Sequence, residues 1–317
     1  MGDKQSRFRL YRGSPIYQLF VSLLIIIGIG FTLSIILILA GMLIFGADLT
    51  VLEKPAAAIS DNDFAFLRYL LIIQDLSLLI IPSIIILVLM KSETAAGLTE
   101  FKMPQLKEIG LVVILTFCIF PVTSFTGQIN SAMHLTDWLS GVERWMTEKE
   151  EKANSLIDLL ITSNTFWVMI LNLLMIALLP AIGEELIFRG VFQKIFYKLF
   201  RSGHLAIWFT AFIFSALHIQ FFGFVPRFIL GLVFGYLFFW SGTLWLPVIS
   251  HFVNNAFPVV LAYLQGLEKL NAPVDVPLWK QATVLPLPVI ISLVLLLYFR
   301  NKSKNDGWSK VNKRQLS

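Results

Sequence analysis

Side chains suited to acid–base chemistry recur inside apolar sequence in the second half of the chain, in three short segments at helical spacing. The segments supply carboxylates, imidazoles, amides and one guanidinium: Glu184, Glu185, Arg189, His218, His251, Asn254 and Asn255. Ionisable side chains inside a membrane span cost about 2.5–3.5 kcal/mol each by insertion scales, so each calls for a function or a partner. No serine or cysteine has a convincing nucleophile context, which favours hydrolysis by activated water.

The two adjacent glutamates are expected to have different roles. Neighbouring residues on a helix point about 100° apart, and Glu185 lies four residues before Arg189, the spacing at which two side chains pair. Glu184 then faces elsewhere without a local cation, and an apolar wall would make it a better base near neutral pH. The alternative is that both acids lie at headgroup level and pair with nearby basic residues. Pro180 and Gly183 argue against it, because they loosen the helix as expected beside a wet cavity.

The histidines have structural interpretations as well as catalytic ones. A lone His218 is more often a satisfied core residue than a ligand, and a pair formed by His251 and Asn255 could join two helices. His251 and Asn255 share a helix face, and Asn254 lies about 60° aside. Taken together with the glutamates, these residues form a hydrolytic set with a base, imidazoles and side-chain donors suited to an oxyanion.

The composition indicates a membrane protein. Of 317 residues, 57% are hydrophobic and 14% are charged, whereas soluble domains carry about 25% charged residues. These values exclude a soluble enzyme, a disordered chain and a nucleic-acid-binding domain. The only cysteine, Cys118, excludes an internal disulfide and a cysteine-based metal cluster.

The apolar runs predict an all-α, polytopic transmembrane helical bundle of about eight spans, since a span needs about 20 apolar residues. Residues 1–317 form a single membrane domain, in which residues 166–264 are the core that carries the motifs. The predicted spans are Ile16–Phe45, Phe66–Met90, Ile109–Phe125, Phe166–Ile187, Leu205–Phe222, Phe224–Trp240, Thr243–Leu264 and Ala282–Phe299.

Basic residues predict the orientation, because they collect at the cytoplasmic ends of spans. Segments 1–15, 91–108, 188–204 and the tail 300–317 together hold 17 Lys and Arg, against seven in the opposite loops. We therefore expect a multi-pass protein of the cytoplasmic or inner membrane, with basic cytoplasmic tails at both termini. The long outer loop runs from about Thr126 to Thr165, and its stretch Ala132–Leu160 is predicted to form one or two amphipathic interfacial helices.

The predicted boundaries place two of the site residues at different depths. His218 would lie deep along its helix, about 20 Å from the cytoplasmic start at Leu205, at a rise of about 1.5 Å per residue. Glu184 would lie only a few residues from the same surface. A wrong boundary, strong helix tilt or a deep cavity would each reconcile them.

At these residues the sequence resembles the CaaX protease and bacteriocin-processing family (CPBP, or Abi) of intramembrane proteases, which includes the type II CaaX prenyl endopeptidases. The family's EExxxR, FxxxH and HxxxN motifs stand here as Glu184-Glu185…Arg189, Phe214…His218 and His251…Asn255, with no departure at a motif position. The likeness covers about Pro180–Phe257, a quarter of the chain.

The resemblance implies an endopeptidase with a hydrophilic cavity open to the cytosol. Glu184 with His218 would activate water, His251 and Asn255 would stabilise the oxyanion, and Glu185 with Arg189 would hold the helix end. A divalent metal such as zinc is compatible with the family, with His218, His251 and one glutamate as ligands. The favoured glutamate–histidine mechanism does not require it.

The expected substrate is a membrane-associated or prenylated-type (CaaX-like) protein or peptide in or at the lipid bilayer, and no nucleic acid is expected. Two alternatives stay open. One is a catalytically idle family member that binds a membrane partner or acts as an immunity protein. The other is a proton-coupled transporter, which the confinement of polar residues to one half of the chain disfavours.

Overall fold

The apolar runs fold into helices, as predicted. The computed structural model describes residues 10, 13–54, 58–90, 101–161, 165–267 and 278–306, and in these ranges the regular elements are helices, without a strand. The ten helices are α1 Pro15–Phe45, α2 Asp61–Met90, α3 Leu106–Ser131, α4 Ser140–Ile161, α5 Phe166–Phe200, α6 Gly203–Ala216, α7 Phe224–Ser241, α8 Trp245–Gly266, α9 Leu278–Val284 and α10 Pro286–Asp306. The all-α polytopic fold class is thereby confirmed.

Helices α1, α2, α3, α5, α7 and α8 are long and apolar enough to cross a membrane. Each of the other two predicted spans also coincides with helical sequence. Helix α6 is shorter, with 14 residues, and the last predicted span lies across α9 and α10. The molecule is therefore an integral membrane protein. The predicted basic tails, 1–15 and 300–317, lie mostly outside the described residues.

Helix α5 corrects one of the predicted boundaries. The segment 188–204 was predicted to be a cytoplasmic loop because of its basic residues, but α5 runs on for 35 residues to Phe200. Arg189, counted among the loop cations, is fully buried within the helix. The prediction failed because a lysine or arginine that is paired or packed inside a bundle has the same sequence signature as one in a loop.

The longer α5 also removes the predicted mismatch in depth. Glu184 lies more than four turns before Phe200, at the end of α5. His218 lies about four turns after Gly203, at the start of α6. At about 5.4 Å per turn, each residue is on the order of 20 Å along its chain segment from the end of its helix. Because a short turn joins α5 to α6, the two residues lie at similar distances from it.

Close contacts between helices bring the motif-bearing segments together. A Cβ atom added at Gly231 of α7 would lie 3.0 Å from the Cβ atom of Ala211 on α6, so these two backbones approach closely because position 231 has no side chain. A Cβ atom at Gly183 of α5 would lie 2.8 Å from the Cβ atom of Leu79 on α2. The buried side chain of Leu244 packs with those of Leu186 and Phe238 and fixes the start of α8 beside α5.

Helix α4 lies in the loop between α3 and α5. A short helical turn, Asp137–Leu139, precedes it, so the predicted helical character of this loop is confirmed. Near its start, Glu143 is 2.9 Å from the His134 ring and accepts a hydrogen bond from the backbone N–H of Leu135. The hydrogen bond with His134 lowers the pKa of Glu143, and that with Leu135 adds to the effect.

Candidate active site

The two glutamates occupy different environments, as their positions on α5 predict. Glu185 is completely buried, whereas the Glu184 side chain keeps 16% of its surface exposed. Immediately after them, residues Leu186–Phe192 widen into turns with i→i+5 hydrogen bonding. Such widened turns occur frequently at functional sites. The helix is therefore distorted directly after Glu184 and Glu185.

Glu185 forms the predicted pair with Arg189. The Arg189 Nη1 atom donates to Glu185 Oε1 at 2.7 Å, and Nη2 donates to the carbonyl oxygen of Gly231 at 3.0 Å. The guanidinium also lies over the rings of Phe214 and Phe234, at 4.9 and 5.4 Å from their centroids. A buried arginine needs such partners because an unpaired buried charge is costly. The pair ties α5 to α7.

His251 lies between the two glutamates. Its Nδ1 atom is 2.9 Å from Glu185 Oε1, and its Nε2 atom is 3.7 Å from Glu184 Oε2. The ring stacks on Phe234, with centroids 4.9 Å apart and an interplanar angle of 20°. An ionised carboxylate only accepts hydrogen bonds, so an ionised Glu185 requires a proton on Nδ1. In neutral His251, Nε2 then carries the lone pair, on the side of Glu184.

His218 lies two residues beyond the end of α6, in a turn rather than inside the predicted span Leu205–Phe222. Its Nδ1 atom is 2.7 Å from the carbonyl oxygen of Phe214. Because a carbonyl oxygen only accepts, Nδ1 carries the proton and donates. The Phe214 ring packs edge-on against both His218 and His251, with centroids at 5.0 and 6.1 Å. His218 also lies within electrostatic range of Glu184 and His251. The structure thus places His251 against both glutamates and His218 against the Phe214 ring that His251 also contacts.

Asn254 and Asn255 follow His251 on α8, within one turn. Asn254 Nδ2 donates to Asn255 Oδ1 at 3.1 Å, and both side chains are partly exposed. The residue that precedes His251, Ser250, is buried and shares a hydrogen bond of 2.7 Å with Thr116 of α3. That bond fixes the rotation of α8 and so the face on which His251 lies.

The resemblance implies that a catalytic metal would have His218, His251 and one glutamate as ligands. Within the described ranges, no group of three or more His, Cys, Asp or Glu side chains is arranged to hold a metal ion. The Nδ1 atom of His218 contacts the Phe214 carbonyl oxygen and that of His251 contacts Glu185, so Nε2 is the ring nitrogen of each histidine that would face a ligand.

Two charged residues near the glutamates were not assigned to the site from the sequence. Asp75 of α2 is buried and lies within electrostatic range of Glu184. Arg227 of α7 lies within range of Glu184 and of Glu150 on α4. Asp75 had a signal, because an acid inside an apolar run is rare. Arg227 had no such signal in the sequence, because an arginine near the start of a helix is indistinguishable from an ordinary loop residue.

Fold and site together define a polytopic helical membrane protein with a carboxylate–imidazole cluster buried among its spans. Residues 165–257 match the family model of the type II CAAX prenyl endopeptidase Rce1-like proteins. This match contains all three motifs and confirms the resemblance predicted from them. Through this segment, which is less than a third of the chain, the protein is similar to the CPBP family of intramembrane proteases.

The comparison with curated proteins gives a partial match. The chain is 30% identical over 89 residues to the uncharacterized protein YpbD of Bacillus subtilis (strain 168), which is 27% of this chain and 42% of that protein. The matched region thus spans less than half of that relative. No solved structure matches the chain significantly.

Proposed function

We propose that this protein is an intramembrane endopeptidase that hydrolyses a peptide bond of a membrane-associated protein or peptide, of prenylated or CaaX-like type. The observation that supports this proposal most directly is the 3.7 Å separation of Glu184 Oε2 and His251 Nε2. Glu185 is hydrogen-bonded to the other ring nitrogen of His251, Nδ1. Glu184 Oε2 is buried and accepts no hydrogen bond from a described residue. Water would approach the carboxylate from the exposed part of the Glu184 side chain, which is 16% of its surface.

Glu184 is the proposed general base. It takes a proton from the water as the water oxygen attacks the carbonyl carbon of the scissile peptide bond. The negative charge then develops on the carbonyl oxygen, and donors preorganised toward that oxygen would lower the barrier. When the C–N bond breaks, the proton held by Glu184 passes to the leaving amine, which balances the step.

The two histidines and Asn255 complete the proposed mechanism. The Nδ1 atom of His218 donates a hydrogen bond to the carbonyl oxygen of Phe214. In the neutral ring, Nε2 can therefore accept a proton or a hydrogen bond from the water. Protonated His251, held by Glu185, would donate from Nε2 to the oxyanion, and Asn255 would donate from its amide. Glu185 and Arg189 act through His251 and are positioning residues.

The proposed location is the cytoplasmic or inner membrane with both termini in the cytoplasm. The distribution of basic residues along the chain supports it. Arg189 is buried and no longer counts as a loop residue. Without it, the predicted cytoplasmic segments still hold more Lys and Arg than the opposite loops.

Comparison of membranes from cells with the wild-type protein and with Glu184→Ala tests the proposed function. Peptide termini would be quantified by mass spectrometry, with Glu151→Ala, an exposed acid on α4, as the control. New termini that appear with wild type and Glu151→Ala but not with Glu184→Ala would support a protease. Identical terminal profiles in all three membranes, with equal protein levels, would contradict the proposal and favour an idle binding protein.

A further inference from the structure

The turn between α6 and α7, residues 217–223, contains a strained backbone position directly after His218. Ile219 has φ = 53°, in the left-handed region. A β-branched residue rarely adopts this conformation, which costs of order 1–3 kcal/mol. Such a conformation persists only when the surrounding contacts hold it in place. The contacts of this turn therefore bear on the position of His218.

Side chains from outside the turn hold its backbone. Asn130, a nearly buried residue of α3, donates from Nδ2 to the carbonyl oxygen of Phe221 at 3.0 Å. Its Oδ1 atom accepts from the backbone N–H of Val225 at 2.9 Å. Glu150 of α4 accepts through Oε2 from the backbone N–H of Phe222 at 3.0 Å. Two separate elements thus reach the same short segment.

Arg227 adds a third tether and connects the turn with the site. Its guanidinium donates to the backbone carbonyl and to the side-chain oxygen of Gln220. Arg227 also lies close enough to Glu150 and to Glu184 for the charges of both to act on it. The contacts of Glu150 therefore join helix α4, which lies outside the candidate membrane spans, to the turn that carries His218.

We propose that Glu150 is a positioning residue for His218, and that helix α4 is part of the active-site unit. The Glu150 carboxylate accepts the hydrogen bond of the Phe222 amide. It thereby keeps the turn in the strained conformation that places the His218 imidazole near Glu184. The inference depends on the proposed catalytic role of His218. It predicts that undocking α4 lets the turn relax and displaces His218 without changing the glutamates.

Three variants of the full chain in lipid nanodiscs test this proposal: Glu150→Ala, Glu150→Gln and Glu151→Ala. Gln keeps an acceptor oxygen for the Phe222 amide, and Glu151 is the exposed neighbour on the same helix. Hydrogen–deuterium exchange over residues 214–224 reports the tether directly. Peptide cleavage, measured as separate kcat and KM values, reports its consequence.

With Glu150→Ala, we expect exchange of the turn to be about five- to tenfold faster, as loss of one hydrogen bond implies. We expect kcat to fall by a similar factor with KM within about twofold. Glu150→Gln should restore most of the wild-type protection from exchange and most of kcat. Glu151→Ala should match wild type in both.

Several results would overturn the proposal. If hydrogen–deuterium exchange of the turn is unchanged in Glu150→Ala, the hydrogen bond of Glu150 does not hold the turn, and the proposal is wrong whatever the activity of the variant. A higher KM at constant kcat would make Glu150 a substrate contact, and a loss of kcat that Gln does not restore would exclude the hydrogen bond as its cause. If wild type cleaves no peptide, the proposed function fails, whereas the exchange measurement still decides whether Glu150 holds the turn.

Discussion

Substitution of the two adjacent glutamates by glutamine separates their proposed roles. Glu184→Gln keeps the size of the side chain but removes its ability to take a proton from water. We expect this variant to fold normally and to lose at least the roughly 10²–10⁴-fold that general base catalysis supplies. Glu185→Gln leaves the base in place but removes the negative charge that faces Arg189 and His251. We expect it to be less stable and to retain partial activity.

The expected change in stability follows from burial. Glu185 and Arg189 have no exposed side-chain surface, and their nitrogen and oxygen atoms are 2.7 Å apart. Removing one member of a buried pair leaves an uncompensated charge and costs about 3–5 kcal/mol. Glu184 is partly exposed, and its buried Oε2 atom accepts no hydrogen bond from a described residue. Its replacement should therefore change the free energy of unfolding by less than about 1 kcal/mol.

Peptide cleavage and thermal unfolding in detergent, measured on the same preparations, test both expectations. Arg189→Ala should resemble Glu185→Gln, because it breaks the same pair from the other side. Full activity in a well-folded Glu184→Gln would refute the role proposed for Glu184. An inactive Glu185→Gln of unchanged stability would show that the two roles are reversed, with Glu185 and His251 acting as the base.

Three further predictions concern packing, metal and topology. Gly183→Ala should lower thermal stability and activity, since the new Cβ atom would lie 2.8 Å from a Leu79 side-chain atom. Gly110→Ala, with open space around it, should be neutral or slightly stabilising, and equal effects of the two changes would contradict the packing argument. Treatment with a chelator should leave peptide cleavage intact, because no three-ligand group exists among the described residues; loss of activity that zinc restores would refute this. In a background without Cys118, cysteines placed at 145 and at 201, both exposed positions, should be labelled from opposite sides of the membrane; labelling from the same side would refute the predicted topology.

The sequence was sufficient for the helices and for contacts within one helix. Long apolar runs must form spans because backbone polar groups in lipid need internal partners. The pairing of Glu185 with Arg189 follows from their four-residue spacing alone. The end of α5 was predicted too early because the sequence does not distinguish a buried arginine from a loop arginine. Burial of Arg189 depends on Phe214, Phe234 and the Gly231 carbonyl, which come from other helices.

Contacts between helices could not be predicted to the same degree. The three motifs indicated that His251 and the glutamates belong to one site, but not that Nδ1 meets Glu185 while Nε2 faces Glu184. That choice depends on the rotation of α8, which the buried bond between Ser250 and Thr116 helps to fix. Neither residue would be singled out in a search for catalytic side chains.

The position of Glu185 gives the site a functional asymmetry. Its Oε1 atom accepts from Arg189 and also faces Nδ1 of His251, so one oxygen atom serves the buried ion pair and the imidazole. Neutralising Arg189 would leave Glu185 with weaker stabilisation of its charge and would weaken its hold on His251. The contact between α5 and α7 and the position of the His251 ring are therefore coupled through a single carboxylate. We therefore expect replacement of Arg189, which has no exposed surface and hence no contact with substrate, to lower turnover through its effect on Glu185 and His251.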